Sequence, residues 1–501
     1  MAMTGAAVRP SNPTHPRGIW VLAMTEMWER FTYYGMRALL VLFLVSTVQE
    51  GGFALDDRTA AAIYGLYTAG NYLMALPGGW VADRLIGARN AILSGGVLIA
   101  IGNFVLALAP SLAVFCLGLF VITLGVGLLK PNASAIVGSL YPEGGARRDA
   151  GFSLFYMGIN VGGLIGPLVA GIVAQVSGRR LGFAAGALGM VLGLVQFWFS
   201  RHHLGAGSTL PLAADGSETR PRFGPDWYPL LVGLAVLAAA AGLLYSGVLG
   251  IDAIGVSHYS AWLILATAVA YFGYLLLLAP LTAAERGRMV VVLVLFVGST
   301  LFWSGFEQAG TSLNLFAERY TDRMIGFLHW EMPSEILQSF NSLFVILLAP
   351  VFSWLWVFLA RRQMVPGAPV KFAFGLLLMG AGFLVMVGAA HIVVAGGRPL
   401  PTWLIATYLL HTFGELALSP VGLSYMTKLA PQNAVGQVMG LWFLSLSLGN
   451  LVAGIAAGNF SADNVAAFPG QFMQVFLLGL GAAVVMLLLT RPVKRLMAGV
   501  E

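Results

Sequence analysis

The chain alternates between long apolar runs and short polar segments. An α-helix needs roughly 20 apolar residues to cross the ~30 Å hydrocarbon core of a bilayer, and fourteen runs are of this kind. They cover residues 19–48, 59–82, 91–107, 112–139, 153–176, 181–199, 229–248, 259–280, 290–311, 336–360, 372–393, 402–426, 435–460 and 472–489. The pattern predicts an all-α integral membrane protein with fourteen transmembrane helices.

The runs fall into groups of six, two and six. A polar stretch at residues 201–227, with Gly, Pro and Ser, follows the first six. We therefore predict an N-terminal six-helix bundle in residues 1–200, a linker with two inserted helices in 201–285, and a C-terminal six-helix bundle in 286–501. Two six-helix halves suggest the major facilitator fold, whose halves rock around a central site. The inserted pair has no charge within its apolar runs, so we expect it to be peripheral and to face lipid.

Composition narrows the class of protein further. Only 10% of the residues are charged, against about 25% in soluble domains, and 58% are hydrophobic. These values exclude a soluble globular protein and a disordered chain. The single cysteine, Cys116, excludes an intrachain disulfide and a thiolate metal cluster.

The net charge of +6 comes from loops rather than from a nucleic-acid-binding surface. Most Lys and Arg residues fall in loops on one side if both termini are cytoplasmic, and the positive-inside rule favours that orientation. Arg179 and Arg180 fall in an outer loop and depart from the rule.

Seven ionisable residues lie inside the apolar runs, where each costs roughly 2.5–3.5 kcal/mol at the bilayer centre on insertion scales. Such residues must face a wet cavity or pair with each other. They are Glu26, Glu29, Arg30, Arg37, Lys130, Glu307 and Glu415.

The first run places several of these charges on one helix face. At about 100° per residue, that face carries Glu26, Glu29, Arg30, Tyr33 and Arg37. Glu26 and Arg30 are i,i+4 neighbours and can pair directly. Protonation of one carboxylate would change the charge balance of the set, which is how a proton could influence its geometry.

Depth along the helices suggests two gating pairs. Arg37 and Glu307 fall in the outer halves of two different bundles, whereas Lys130 falls in an inner half and Glu415 near the middle of its helix. We predict that an Arg37–Glu307 pair closes the outside and that a Lys130–Glu415 pair closes the inside. In an outward-open structure Arg37 and Glu307 should be apart.

Four segments carry a family resemblance. They are residues 26–35 (EMWERFTYYG), 155–162 (FYMGINVG), 302–308 (FWSGFEQ) and 78–84 (GGWVADR). With them the chain resembles the proton-dependent oligopeptide transporter family of the major facilitator superfamily. Gly163 departs from the serine that usually continues the second signature, and Asn90 stands where the superfamily loop often has a basic residue. The stretch between residues 393 and 403 is too short for the outer domain of animal members, which indicates a bacterial inner-membrane protein.

The resemblance implies a proton-driven symporter of di- and tripeptides, with protons as coupling ion and no other cofactor. We expect a monomer in the lipid bilayer that binds peptides. Seven scattered histidines and a single cysteine argue against a metal site, and the placement of most basic residues in short loops argues against nucleic acid. The residues that the resemblance ties to proton coupling are Glu26, Glu29, Arg30 and Glu307. Those it assigns to the peptide are Arg37 and Lys130 for the carboxylate, Glu415 with Asn160 and Asn341 for the amine, and Tyr33, Tyr34, Tyr67, Ser419 and Trp442 for the pocket wall.

Other interpretations remain at this point. The same fold could carry another substrate, such as nitrate or a modified amino acid, although nitrate has no amine for Glu415 to hold. A receptor that binds peptide without moving it is a second alternative, and a membrane enzyme a third, for which no nucleophile–base or metal set appears. His411 lies four residues before Glu415 and either tunes that carboxylate or packs in the core.

Overall fold

The computed structural model of the protein describes residues 15–141, 145–205, 227–228, 231–233, 252–364, 366–431, 435–458, 460 and 462–497. Within these ranges the chain is helical apart from its connecting turns and one short hairpin. In that hairpin Met324–Ile325 pairs antiparallel with Trp330–Glu331. The all-α prediction is confirmed.

The helices of the first half follow the predicted apolar runs. They are α1 (Arg17–Val45), α2 (Asp57–Leu73), α3 (Ala75–Val81), α4 (Ala88–Leu108), α5 (Leu112–Ser139), α6 (Gly145–Ser177) and α7 (Arg179–Ser200). A π-helical turn, Ala82–Ile86, follows α3, and a 3-10 turn, Arg201–Leu204, follows α7.

The second half begins after the polar linker, most of which lies outside the described residues. Its helices are α8 (Ala253–Gly273), α9 (Ala283–Phe306), α10 (Ser312–Tyr320), α11 (Ser339–Arg361), α12 (Ala368–Val394), α13 (Thr402–Leu429), α14 (Val435–Ala457), α15 (Phe468–Leu488) and α16 (Thr490–Leu496). A π-helical turn, Tyr274–Leu278, extends α8, and 3-10 turns precede α10, α11 and α15.

Within the described part of the chain, eleven helical segments are long and apolar enough to cross a membrane. Two further predicted spans are helical but fall outside that set. Helix α1 carries five charges, four of them inside the predicted apolar run. The second span is divided at Met74 into α2 and α3. The predicted span 229–248 lies mostly outside the described residues. The count of fourteen therefore stays a prediction.

Local sequence fixes several helix starts. Asp56 accepts a hydrogen bond from the backbone amide of Thr59 at the start of α2. Thr282 and Glu285 form a reciprocal capping box at the start of α9. Such caps satisfy amide groups that have no partner in the first helical turn.

Each half has its own apolar core. In the first, the ring of Phe43 lies 5.2 Å from both Phe115 and Phe183. In the second, Phe472 lies 6.0 Å from Phe383 and 4.9 Å from Phe460. The domain boundaries at residues 200 and 285 stay predictions, because much of the segment between them is not described.

The two halves meet closely where α2 crosses α14. A Cβ atom added to Gly65 would lie 3.2 Å from the Cα of Gly454, so glycine at both positions allows the backbones to approach. The hydroxyl of Ser447 donates to the carbonyl of Ala69 at 3.0 Å across the same interface. Helices α6 and α11 form a second contact between the halves, with Ser339 donating to the carbonyl of Leu164.

The described inserted helix, α8, lies over the groove between α2 and α14. One stripe, containing Ile264, Ala268 and Phe272, is buried, whereas Trp262 and Leu263 on the other side are more than two-thirds exposed. The hydroxyl of Tyr271 donates to the side chain of Gln437 in the first turn of α14. Helix α8 is thus peripheral but packs against both halves at once.

We use two names for the ends of the molecule. At the distal end α1 ends at Val45 and α2 begins at Asp57; at the proximal end α1 begins at Arg17 and the chain reaches α16. If the termini are cytoplasmic, as predicted, the distal end faces outward.

Candidate functional site

Three charges of α1 form a buried cluster. The Arg30 guanidinium donates to both oxygens of Glu29, from Nε at 2.5 Å and from Nη2 at 3.0 Å. Its Nε also lies 3.3 Å from Glu26 Oε1. All three side chains are at least 90% buried. The other oxygen of Glu26 has no hydrogen-bond partner among the described residues.

A glycine of the second signature allows α6 to lie against this cluster. A Cβ atom on Gly162 would collide with the carbonyl oxygen of Met27 and would lie 2.9 Å from the Cβ of Arg30. Any larger residue would push α6 away from α1. The two sequence signatures are therefore one packed unit in the structure.

Arg37 and Glu307 form an ion pair between the halves. Nη2 of Arg37, on α1, lies 2.9 Å from Oε2 of Glu307, in the turn after α9, and both side chains are about 95% buried. The guanidinium also lies 5.7 Å from the ring centre of Tyr64 and 5.8 Å from that of Tyr34. Breaking such a buried pair by removal of one partner usually costs about 3–5 kcal/mol, because the other charge stays buried.

Lys130 and Glu415 are apart in this structure. The Lys130 ammonium lies 4.7 Å above the ring of Tyr72. One oxygen of Glu415 accepts a hydrogen bond from Asn341 Nδ2 at 3.1 Å, and that amide group also donates to Thr412 at 3.0 Å. Both Lys130 and Glu415 are half-buried.

The predicted pocket-wall tyrosines are close together. The ring centre of Tyr33 lies 5.2 Å from Tyr34, edge to face, and 6.3 Å from Tyr67, stacked. Arg30 lies 4.9 Å from the centre of Tyr33. The aromatic wall therefore connects the Arg30 cluster to Arg37 along α1.

The other predicted residues are placed more separately. The Asn160 amide donates to the carbonyl of Tyr156 in its own helix. Trp442 is buried in the core of the second half. The Ser419 hydroxyl is buried and has no partner in the described part of the chain. Among the described residues, none of these three side chains forms a hydrogen bond with Glu415.

Sequence reasoning missed Tyr64 and Tyr72, which lie against Arg37 and Lys130. A signal was present in the second apolar run, because Tyr64, Tyr67 and Tyr72 fall within an arc of about 140° on a helix. This spacing places aromatic rings along much the same side of the second span.

The distal end is closed by ion pairs between the halves. Both terminal nitrogens of Arg319 donate to the carboxylate of Asp57, each at 2.7 Å. Arg179 lies 2.6 Å from Glu318 and 3.9 Å from Glu335, beside a pocket of about 300 Å³. These contacts tie α2 and α7 of the first half to the second half.

The same contacts account for the two arginines that depart from the positive-inside rule. Arg179 is neutralised by Glu318. Arg180 donates to the carbonyls of Gly51 at 3.1 Å and Ala109 at 2.7 Å and lies over the ring of Phe43. Because both arginines have structural partners at the distal end, these contacts explain why they depart from the positive-inside rule.

Comparison with known proteins agrees with this architecture. The sequence profile of the POT family matches residues 89–206 and 270–473. The chain is 42% identical to the peptide transporter YePEPT of Yersinia enterocolitica, over 96% of this chain and 95% of that protein. It is 35% identical to a di-/tripeptide transporter of Lactococcus lactis, over 97% of each chain.

Solved structures give the same result. A crystal structure of a peptide transporter POT in complex with sulfate has a TM-score of 0.86 at 38% identity and covers 97% of this chain and 96% of that one. A POT family transporter in complex with 5-aminolevulinic acid has a TM-score of 0.84 at 33% identity, over 96% and 97% of the two chains. The chain therefore belongs to the POT family and is a multi-pass membrane transporter, not an enzyme.

Proposed function

We propose that this protein imports di- and tripeptides by proton-coupled symport with alternating access. The observation that carries the proposal is the placement of opposite charges on the two halves. Arg37 and Lys130 belong to the first half, and Glu415 with Asn341 belongs to the second. A peptide zwitterion has one negative and one positive end, so it can bind to both halves at once and stabilise their closure.

In this mechanism the peptide carboxylate and Glu307 compete for Arg37. The 2.9 Å ion pair occupies Arg37 while Glu307 is charged. Protonation of Glu307 removes its attraction for the guanidinium, and Arg37 then binds the peptide carboxylate together with Lys130. The peptide amine binds Glu415, which Asn341 orients through its hydrogen bond. Side chains of the peptide contact the tyrosines, where apolar walls discriminate by only about 1–3 kcal/mol per methylene.

The α1 cluster supplies a second group for protons. Two carboxylates share one guanidinium, which leaves the set with an excess of one negative charge. Glu29 is held by two hydrogen bonds, whereas one oxygen of Glu26 has no partner in the described ranges. We assign the proton to Glu26, because protonation there neutralises the set without loss of a bidentate pair.

The ion pairs support a state closed at the distal end. Arg37–Glu307, Arg319–Asp57 and Arg179–Glu318 all join the halves there, while Lys130 and Glu415 are unpaired with each other. In the opposite state the distal pairs separate and Lys130 approaches Glu415. With cytoplasmic termini, we assign this arrangement to the inward-facing state. We propose that the transporter acts as a monomer in the inner membrane, with protons as its coupling ion and no other cofactor.

The test is uptake of a labelled dipeptide into proteoliposomes under an imposed pH gradient. We expect accumulation above equilibrium that collapses when an ionophore dissipates the gradient. Binding without accumulation would indicate a receptor, and equal uptake with and without the gradient would indicate a facilitator. Either result would contradict the proposal.

A competition panel tests the substrate class in the same assay. One relative binds 5-aminolevulinic acid, which, like a peptide, has an amine at one end and a carboxylate at the other. Unlabelled di- and tripeptides should compete strongly, and N-acetylated or C-amidated peptides weakly. Nitrate should not compete. Stronger competition by 5-aminolevulinic acid than by any peptide would favour a modified amino acid as the substrate.

A further inference from the structure

A small cavity lies between the halves, next to the Arg37–Glu307 pair. Its volume is about 20 Å³. Its lining includes Arg37 from the first half and Gln338, Tyr408 and His411 from the second.

Four polar atoms of the lining residues are buried and have no hydrogen-bond partner among the described residues. They are Arg37 Nε, Gln338 Nε2, the Tyr408 hydroxyl and His411 Nδ1. A buried polar group without a partner usually costs about 1–3 kcal/mol. Four such atoms around one cavity therefore point to a common partner.

The chemistry of the four atoms is complementary. His411 Nε2 lies 3.1 Å from the carbonyl of Met379, which can only accept, so Nε2 carries the proton and Nδ1 is an acceptor. Arg37 Nε and Gln338 Nε2 are donors. The Tyr408 hydroxyl can donate or accept. Two donors, one acceptor and one hydroxyl match the four hydrogen bonds of a water molecule.

We propose that this cavity is a binding site for one water molecule that bridges the two halves. The water accepts from Arg37 and Gln338 and donates to His411 and Tyr408. A water needs about 10–15 Å³ and two to four polar partners, and the cavity provides both. Because Arg37 belongs to α1 and His411 to α13, separation of the halves at the distal end must break this bridge.

The proposal makes His411 a positioning residue for Arg37. The water binds Arg37 Nε, which has no other partner among the described residues, so the guanidinium keeps its orientation when Glu307 becomes neutral. This functional role rests on the proposed symport, whereas the water site itself does not. The tilted ring contact between His411 and Phe383, with centroids 5.2 Å apart, would be kept by a phenylalanine and is a separate, packing role.

The decisive experiment is a structure of the full-length protein in the distally closed state, without peptide, at a resolution that shows buried waters. We expect density for one water within hydrogen-bond distance of His411 Nδ1 and Arg37 Nε in the wild type, and none at that place in His411→Phe. A dry cavity in the wild type, when other buried waters are visible, would overturn the proposal. So would a water that stays in place in His411→Phe.

Transport kinetics test the positioning role with matched variants. His411→Phe keeps a ring but loses the acceptor. We expect the KM for a dipeptide to rise about tenfold, which corresponds to the loss of one charge-assisted contact. His411→Asn offers an amide oxygen near the Nδ1 position and should recover most of the wild-type KM. His391→Phe, at an exposed histidine of α12, controls for the substitution itself. Equal KM values in His411→Phe and His411→Asn would overturn the positioning role, even if peptide transport is established.

Discussion

Arg37 and Glu307 meet 2.9 Å apart across the interface between the two halves, with both side chains almost fully buried. The pair joins α1 to the turn at the end of α9, where the sequences of both halves place a charge inside an apolar run. The pair holds the two halves together. In the proposed mechanism, protonation of Glu307 breaks it.

Removal of Arg37 alone should destabilise the protein more than removal of both partners. Arg37→Met leaves the Glu307 carboxylate buried without a counter-ion, which we expect to cost about 3–5 kcal/mol. The double variant Arg37→Met/Glu307→Leu leaves no buried charge and should regain most of that stability. Unfolding in detergent measures both. A double variant no more stable than the single one would contradict the assignment of the pair as mutually neutralising.

Glu415→Gln should weaken recognition of the peptide amine specifically. The glutamine amide keeps the shape of the side chain and an oxygen that can accept from Asn341. It removes the negative charge. Hydrogen bonds to charged groups contribute about 1.5–3 kcal/mol, so the KM for a free dipeptide should rise about 10- to 100-fold.

Competition by N-acetylated dipeptide provides the control for this substitution. Because the acetylated peptide has no ammonium, its weak competition should be nearly the same in wild type and Glu415→Gln. An equal loss for both peptides would indicate a general disturbance of the site instead of loss of an amine contact.

Glu26→Gln and Glu29→Gln should have different consequences. Glu29 accepts two hydrogen bonds from Arg30, so its substitution should lower stability as well as activity. Glu26→Gln should leave stability nearly unchanged and make peptide-driven proton movement insensitive to pH. Thermal unfolding and proton-flux measurements over a pH series separate the two effects. A larger stability loss in Glu26→Gln would reverse the assignment.

Crosslinking of the distal end should stop transport. Asp57 and Arg319 can be replaced by cysteines in a Cys116→Ala background, since Cys116 is the single native cysteine. A short bifunctional thiosulfonate reagent should then block uptake, and a reductant should restore it. Single-cysteine variants treated in the same way are the control. Full transport with the crosslink in place would mean that the distal end does not open.

Much of the helical frame follows from the sequence because apolar run length and helix caps are local properties. The run at residues 112–139 is observed as Leu112–Ser139, with Ser111 capping its first turn. Similarly, helical periodicity placed Glu26 and Arg30 on one face, and they lie 3.3 Å apart. The break at Met74 also has a local cause, because Pro77 has no backbone N–H to donate to the carbonyl of Leu73, the last residue of α2.

The relations between the halves could not be predicted in the same way. Whether Lys130 contacts Glu415 depends on how far apart the halves are, which no helical period encodes. The roles of Arg179 and the partners of Arg180 depend on tertiary contacts at the distal end. His411 could be interpreted from the sequence only as packing or as a modifier of Glu415, because its cavity is formed by residues from α1, α11 and α13.

The central claim is that protonation of Glu307 releases Arg37 and thereby couples protons to peptide movement. Its most direct test is Glu307→Gln in proteoliposomes, with pH-gradient-driven uptake and peptide counterflow measured on the same preparation. Glutamine resembles a permanently protonated glutamate, so gradient-driven accumulation should be abolished while counterflow exchange continues. Concentrative uptake by Glu307→Gln at the wild-type level would contradict the account.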